Sequence, residues 1–255
     1  MTSRLASIAL AALALLLTAA AKPVLVPDIS SRSVEIRYSF TGAQLLLFGA
    51  ILYPGGRVPD RQVDIVVVLR GPVEPIVVRE KQQIAGIWMN ADSNRFRSAP
   101  SFYAVASSRP ISQLVDERTA AIYEMGVQNL QLSPGGGALP EKERRFEAGL
   151  LDLRNRQGLY AEYSRGVEIA EGVLYRATIT IPSQVPVGTY IAETFLVDRG
   201  RVLAAATRDI EIGKTGFERF VTLAARRYAL LYGIVAVLMS LALGYGAAVL
   251  FRRRF

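Results

Sequence analysis

Tyr228–Phe251 is a run of 24 residues without a charge, and it constrains this chain more than any other feature. As a helix at about 1.5 Å per residue it reaches about 36 Å, enough to cross a hydrocarbon core of about 30 Å with some tilt. Arg226 and Arg227 stand before it and Arg252, Arg253 and Arg254 after it. Tyr228, Tyr232 and Phe251 lie near its ends, where aromatic rings favour the membrane–water interface. The reading is a transmembrane helix over 228–251 with a short tail, 252–255. Within it Ala236, Ser240, Gly244 and Ala248 recur every four residues and share one helix face, and Gly246 widens the same groove. Small residues there let a second helix approach closely. The expected partners are therefore the lipid bilayer and, through that face, a second copy or a multi-span membrane protein.

A second apolar stretch, Leu5–Ala21, follows Arg4 and ends in Ala19-Ala20-Ala21, small residues where a signal peptidase reads. Residues 1–21 are expected to be a signal peptide cut after Ala21. Export would place residues 22–225 outside the cytoplasm and leave Arg252–Arg254 inside, as the positive-inside rule prefers. The expected location is the inner (plasma) membrane, crossed once, with the bulk of the chain periplasmic and the C-terminus cytoplasmic.

The formal charge of +8, from 30 basic and 22 acidic residues, suggests a polyanion partner until the charges are placed. Residues 22–225 hold 24 basic and 22 acidic side chains, so the excess mostly flanks the apolar segments and no nucleic-acid partner is expected. The chain has no histidine and no cysteine. That excludes disulfides, thiolate nucleophiles, zinc sites built on those residues and any triad with an imidazole base.

The exported part reads as mainly β. Val34, Ile36, Tyr38 and Phe40 alternate with polar residues, Gln44–Tyr53 is a long apolar strand, and Val63–Leu69 is a β-branched run suited to a strand buried on both faces. Ile76–Glu80, Ile84–Met89 and Phe102–Ser107 are read as further short strands, completing an N-terminal β region over 22–110. Residues 111–158 are read as a helical insertion or linker. One helix starts after Pro110 with Ser112 as cap and Gly126 as stop. A second starts at Pro140 with Glu141 and Glu143 in its first turn, an apolar stripe of Phe146, Leu150 and Leu153, and Gly158 at its end. Strands resume over 159–213: Tyr175–Ile181 alternates, Pro186-Val187-Gly188-Thr189-Tyr190 leads into Ile191–Val197, and Asp198-Arg199-Gly200-Arg201 turns into Val202–Ile212. The expected fold is a β-sandwich, immunoglobulin-like, with a helical insertion and one C-terminal transmembrane helix; the Gly-x-Tyr spacing resembles a tyrosine corner. Residues 214–227 are expected to form an amphipathic juxtamembrane segment.

Little in the chain points to catalysis. Asp116/Glu117 and Glu141/Glu143 are adjacent carboxylates, but both pairs fall at helix starts, where they complement the dipole. Asn90-x-Asp92-x-Asn94 imitates the beginning of a calcium loop, yet Arg95 stands where glycine is needed and Ser101 where glutamate is needed, so a polar loop is expected. No catalytic residue, cofactor or metal is assigned. Trp88, Arg95, Phe96, Phe102 and Tyr103 form a candidate recognition surface, since aromatics and arginine dominate binding hot spots.

Several phrases occur together: Ile87-Trp88-Met89-Asn90, Phe102–Pro110, Ile181-Pro182, Val185–Tyr190, and Leu231-Tyr232-Gly233 with the closing arginines. In these the chain resembles the alphaproteobacterial transmembrane protein family Alph_Pro_TM over almost its whole mature length. The resemblance implies a Gram-negative inner membrane and a periplasmic domain, and it brings no assigned site residues. The expected role is a binding or assembly accessory to a membrane transporter or complex. A tethered periplasmic hydrolase using carboxylates, or a ligand sensor signalling sideways through its span, are the alternatives.

Overall fold

In the computed structural model, residues 22–29, 33–36, 42–59, 61–137, 139–214, 225 and 227–252 are described. The expected signal peptide, the second half of the Val34–Phe40 strand and nearly all of the juxtamembrane segment lie outside them. The strands run β1 Val24–Ile29, β2 Ser33–Ile36, β3 Ala43–Leu52, β4 Asp64–Arg70, β5 Val73–Ile84, β6 Ile87–Pro100 and β7 Tyr103–Ser107. After the helices α1 Ile111–Leu114 and α2 Glu117–Ile122 come β8 Ser133–Pro134 and the helix α3 Pro140–Arg156. Then follow β9 Tyr160–Ser164, β10 Val167–Ala170, β11 Leu174–Ile181, β12 Gly188–Asp198, β13 Arg201–Lys214 and the long helix α4 Ala229–Arg252.

Local patterning explains most of these elements. Along β11, Tyr175, Ala177, Ile179 and Ile181 are buried while the residues between them are exposed, the period of a strand with one wet face. The β-branched run of β4 has no wet face, and Ile65 to Leu69 are all fully buried. Such a strand is stable only between two others, and β4 lies between β12 and β7. Arg199 and Gly200 take positive φ values of 50° and 77°, the two-residue turn that joins β12 to β13 with Asp198 opposite Arg201.

Two sheets share one core. The first has the order β1-β3-β11-β10 and the second β2-β13-β12-β4-β7-β9. Leu45, Ile51, Ile179 and Ile181 of the first meet Val66, Val68, Leu196 and Ile210 of the second in a single buried cluster. Most neighbours are antiparallel; β2 beside β13 and β9 beside β7 are parallel. A third, smaller sheet, β5-β6-β8, stands apart with its own cluster of Phe96, Ala99, Phe146 and Leu150. None of Ala229–Ala248 in α4 is buried against the rest of the chain.

Several local expectations change. Ile84–Met89 is not a strand but the end of a hairpin, because Ala85 and Gly86 adopt positive φ (51° and 84°) and reverse the chain between β5 and β6. The helix after Pro110 is broken at Val115, whose backbone is extended. Its second half is capped by Asp116, which accepts from the Thr119 N–H at 2.9 Å, and Ser112 caps nothing. Asn90–Asn94 lies on β6 rather than in a loop. The Pro140 helix forms with Phe146 and Leu150 buried, joined by Leu151, whereas Leu153 is exposed.

Tyr190, at the start of β12, is fully buried and donates its hydroxyl to the Pro186 carbonyl at 2.8 Å. Burial pushes its ionisation up to about 12, so it remains a neutral donor. Tyr190→Phe should lower stability by about 1 kcal/mol, read as an earlier urea midpoint with an unchanged slope.

Candidate functional site: a braced hairpin arm

β5 and β6 continue a pairing that begins inside the body. One register runs without interruption from Val66 opposite Ser107 to Arg70 opposite Tyr103, and on to Val73 opposite Pro100 and Glu74 opposite Ala99. The junction is closed by Gly71 N–H to the Phe102 carbonyl at 2.8 Å and Ser101 N–H to the Pro72 carbonyl at 2.9 Å. The β4–β7 ribbon therefore leaves the six-stranded sheet as a two-stranded arm of 12 and 14 residues, about 40 Å long at about 3.3 Å per residue. Irregularities between Glu74 and Ile76 and between Glu80 and Lys81 add local twist.

An isolated two-stranded ribbon is marginal in water. Here α3 lies along its inner half. Phe146 and Leu150 pack on Phe96 and Ala99, with Ile76 and Val78 at the margin. Ion pairs run the same length: Arg154 to Glu74 at 2.9 Å, Arg145 to Glu80 at 3.0 Å and to Asp92 at 3.2 Å, and Lys142 to Asp92. The lysine hydrogen bond holds the Asp92 carboxyl below its usual range. Partial desolvation opposes that shift, while the Ser93 N–H at 2.8 Å and the two cations reinforce it. β8 adds a short third strand beside β6, and Arg97 donates to the Gly135 carbonyl at 2.8 Å.

Beyond Glu80 and Asp92 the brace ends, and Lys81 to Ala91 are all exposed. The tip carries Ile84, Ile87, Trp88 and Met89 at 48 %, 69 %, 66 % and 48 % exposure. Of the residues singled out for recognition, Trp88 is thus at the arm's tip and Arg95 is exposed further in. Phe96, Phe102 and Tyr103 are buried and form no surface with them. Phe96 is the arm's contact with α3, and Phe102 packs beside Tyr190. Tyr103 donates to the Glu124 carbonyl at 2.5 Å and accepts from the Gly126 N–H at 3.0 Å. Sequence reading missed Ile84, Ile87 and Met89 at the tip and the Asp92 cluster; the Ala85-Gly86 pair between two isoleucines was the available signal.

The candidate span α4 keeps Ala236, Ser240, Gly244 and Ala248 on one exposed face. The Ser240 hydroxyl donates to the Ala236 carbonyl at 3.0 Å, so its polar hydrogen is satisfied within the helix. Elsewhere a buried carboxylate, Asp64, is held by the Arg109 guanidinium and by the Ser108 hydroxyl at 2.8 Å. Asp116 caps α2, and Glu141 and Glu143 occupy the first turn of α3. Among the described residues no group of three or more acidic side chains is placed to hold a metal ion.

A family model described as "Putative transmembrane protein (Alph_Pro_TM)" matches residues 24–253. No curated protein matches in sequence. The crystal structure of Spo0M, a sporulation control protein from Bacillus subtilis, aligns weakly, with a TM-score of 0.31 and 10 % identity. The alignment covers 82 % of this chain and 56 % of that one, so the chain spans little more than half the length of Spo0M.

The lowered Asp92 value makes the brace pH-dependent. Its ionised form is favoured in the folded protein, so the contribution is complete above the ordinary carboxylate range near about 4 and is lost as pH falls through the lower folded value. Amide protection factors in α3 and the inner arm should fall as the pH drops below the ordinary carboxylate range, while those of β4 hold. Asp92→Asn should show the lowered protection factors already at neutral pH.

Proposed function

The chain belongs to the Alph_Pro_TM family of transmembrane proteins, and on that basis we propose that it is a single-span inner-membrane protein whose periplasmic β body serves binding or assembly rather than catalysis. The observation that carries this reading is the arm. A 17-residue helix packs on the inner half of a ribbon whose outer half, from Lys81 to Ala91, is exposed among the described residues. Bracing of that kind supports presentation of a surface beyond the body, and the tip combines tryptophan with aliphatic side chains, as binding hot spots and interfacial anchors do.

The body fits such a role. Strand order β1-β3-β11-β10 follows the A-B-E-D order of an immunoglobulin domain, and β13-β12-β4 follows G-F-C with β7 and β9 as its extension. Tyr190 with its Pro186 bond sits where the tyrosine corner precedes strand F. These features support the immunoglobulin-like reading; the parallel pairing of β9 with β7 departs from it.

The second contact is the face of Ala236, Ser240, Gly244 and Ala248, through which the span associates with another membrane helix, most simply that of a transporter or assembly it accompanies. The carboxylate hydrolase is less well supported, because Asp64 is clamped by Arg109 and the two acidic pairs serve helix starts.

In-cell crosslinking followed by mild detergent extraction should recover a multi-span protein with the chain. Ser240→Leu with Gly244→Leu should abolish both that recovery and the signal of the isolated span in a membrane-helix reporter assay. Retained recovery with both leucines present would remove the helix face from the proposal.

A further inference from the structure

Strand direction decides which way the arm leaves the body. β12 pairs antiparallel with both β4 and β13, and Ile191 lies opposite Arg70 on one side and Asp209 on the other. β4 and β13 therefore run in the same direction. The end of the sheet from which the arm departs, at Arg70 to Val73, is also the end at which β13 finishes, at Lys214. From there only residues 215–228 separate the sheet from the first turn of α4. Fourteen residues reach at most about 50 Å, comparable with the arm's own length of about 40 Å. The hairpin and the membrane tether thus leave from one end of the body, and the tether's fully extended limit exceeds the arm's length.

The chemistry of the tip fits the same destination. Ile84, Ile87, Trp88 and Met89 form an apolar end that no described residue covers. Position 85 is an alanine held at φ 51°, in a turn where asparagine or glycine would sit without strain, so the tip keeps a hydrocarbon side chain against local preference. Behind the tip, the arm's carboxylates Glu74, Glu80 and Asp92 are each paired with α3. Arg79, Lys81 and Arg95 carry no ion pair among the described residues and leave a positive collar. An apolar, tryptophan-bearing tip above a cationic collar matches the boundary between acyl chains and anionic headgroups.

We propose that the β5–β6 tip inserts into the headgroup–acyl boundary of the bilayer that its own C-terminal helix spans, giving the body a second attachment beside the tether. The proposal rests on the single-span reading above and names the lipid surface, rather than a protein, as what the arm engages.

Trp88 is the chain's single tryptophan, so its fluorescence reports the tip alone. The full chain is reconstituted into phosphatidylethanolamine/phosphatidylglycerol vesicles, with and without bromine on the acyl chains. The expected result is a blue-shifted Trp88 emission, loss of most of it in brominated lipid, and poor quenching by aqueous iodide. Ile84→Asn with Ile87→Asn should restore water-like emission and iodide access while the chain still floats with the vesicles after carbonate washing. Iodide-accessible Trp88 emission that brominated lipid leaves intact, in wild-type chain that floats, overturns lipid engagement and leaves the anchor standing. A photocrosslinker at position 87 that then captures a protein in cells would assign the tip to a protein partner instead. Failure to float at all would overturn the single-span reading itself.

Discussion

β4 has no face to give to water. Its residues Ile65 to Leu69 are fully buried, so the strand must be covered above and below and hydrogen-bonded on both edges. β12 and β7 supply the edges, and the cluster that includes Leu45, Ile179 and Ile181 supplies one cover. The same strand then carries the arm, because its pairing with β7 passes unbroken into β5 and β6. Gly71 sits at this passage. A Cβ there would lie 2.7 Å from the Ser101 hydroxyl and 2.9 Å from the Tyr190 ring, so the two chains can approach only where the side chain is absent. Body and arm are consequently joined through one continuous pairing register.

The segment between β7 and β9 follows from a second constraint. Two parallel neighbours cannot be joined by a tight turn and need a long crossover. α1, α2 and α3 occupy that crossover, and its irregular parts are tied down by single groups. The Tyr103 hydroxyl bridges Glu124 and Gly126, and burial raises its ionisation far above neutral pH. Tyr160 donates to the Pro100 carbonyl at 2.7 Å and so fastens β9 to the foot of the arm. α3 packs Phe146 and Leu150 on the arm and Leu151 in the main core, which makes the crossover an outrigger as well as a connection.

Legibility in the sequence tracked how local the cause was. The alternation of β11, the β-branched run of β4, the Arg199-Gly200 turn and the Pro140 start each depend on a few adjacent residues, and each was readable. The turn at Ala85-Gly86 was not, because Ile84, Ala85, Ile87, Trp88 and Met89 make it read as part of one apolar run. Nor was the division among the aromatics: Phe96 is covered and Trp88 bare because α3 reaches one and stops short of the other. The Lys142–Asp92 contact joins residues 50 positions apart, which no spacing rule connects. The small-residue face of the span was readable as a pattern, since it needs only the helical period.

The position of β13 has a mechanical meaning. It is the strand that leads to the tether, and it is bonded along its length to β12, from Gly188 opposite Ile212 to Asp198 opposite Arg201, with β2 alongside its last four residues, next to the tether. A pull directed along this strand's own axis loads all of those rungs together. Many rungs then share the load in shear, whereas a strand peeled sideways would surrender them one at a time. A body hung from the bilayer in this manner resists being unravelled by the motion of its anchor.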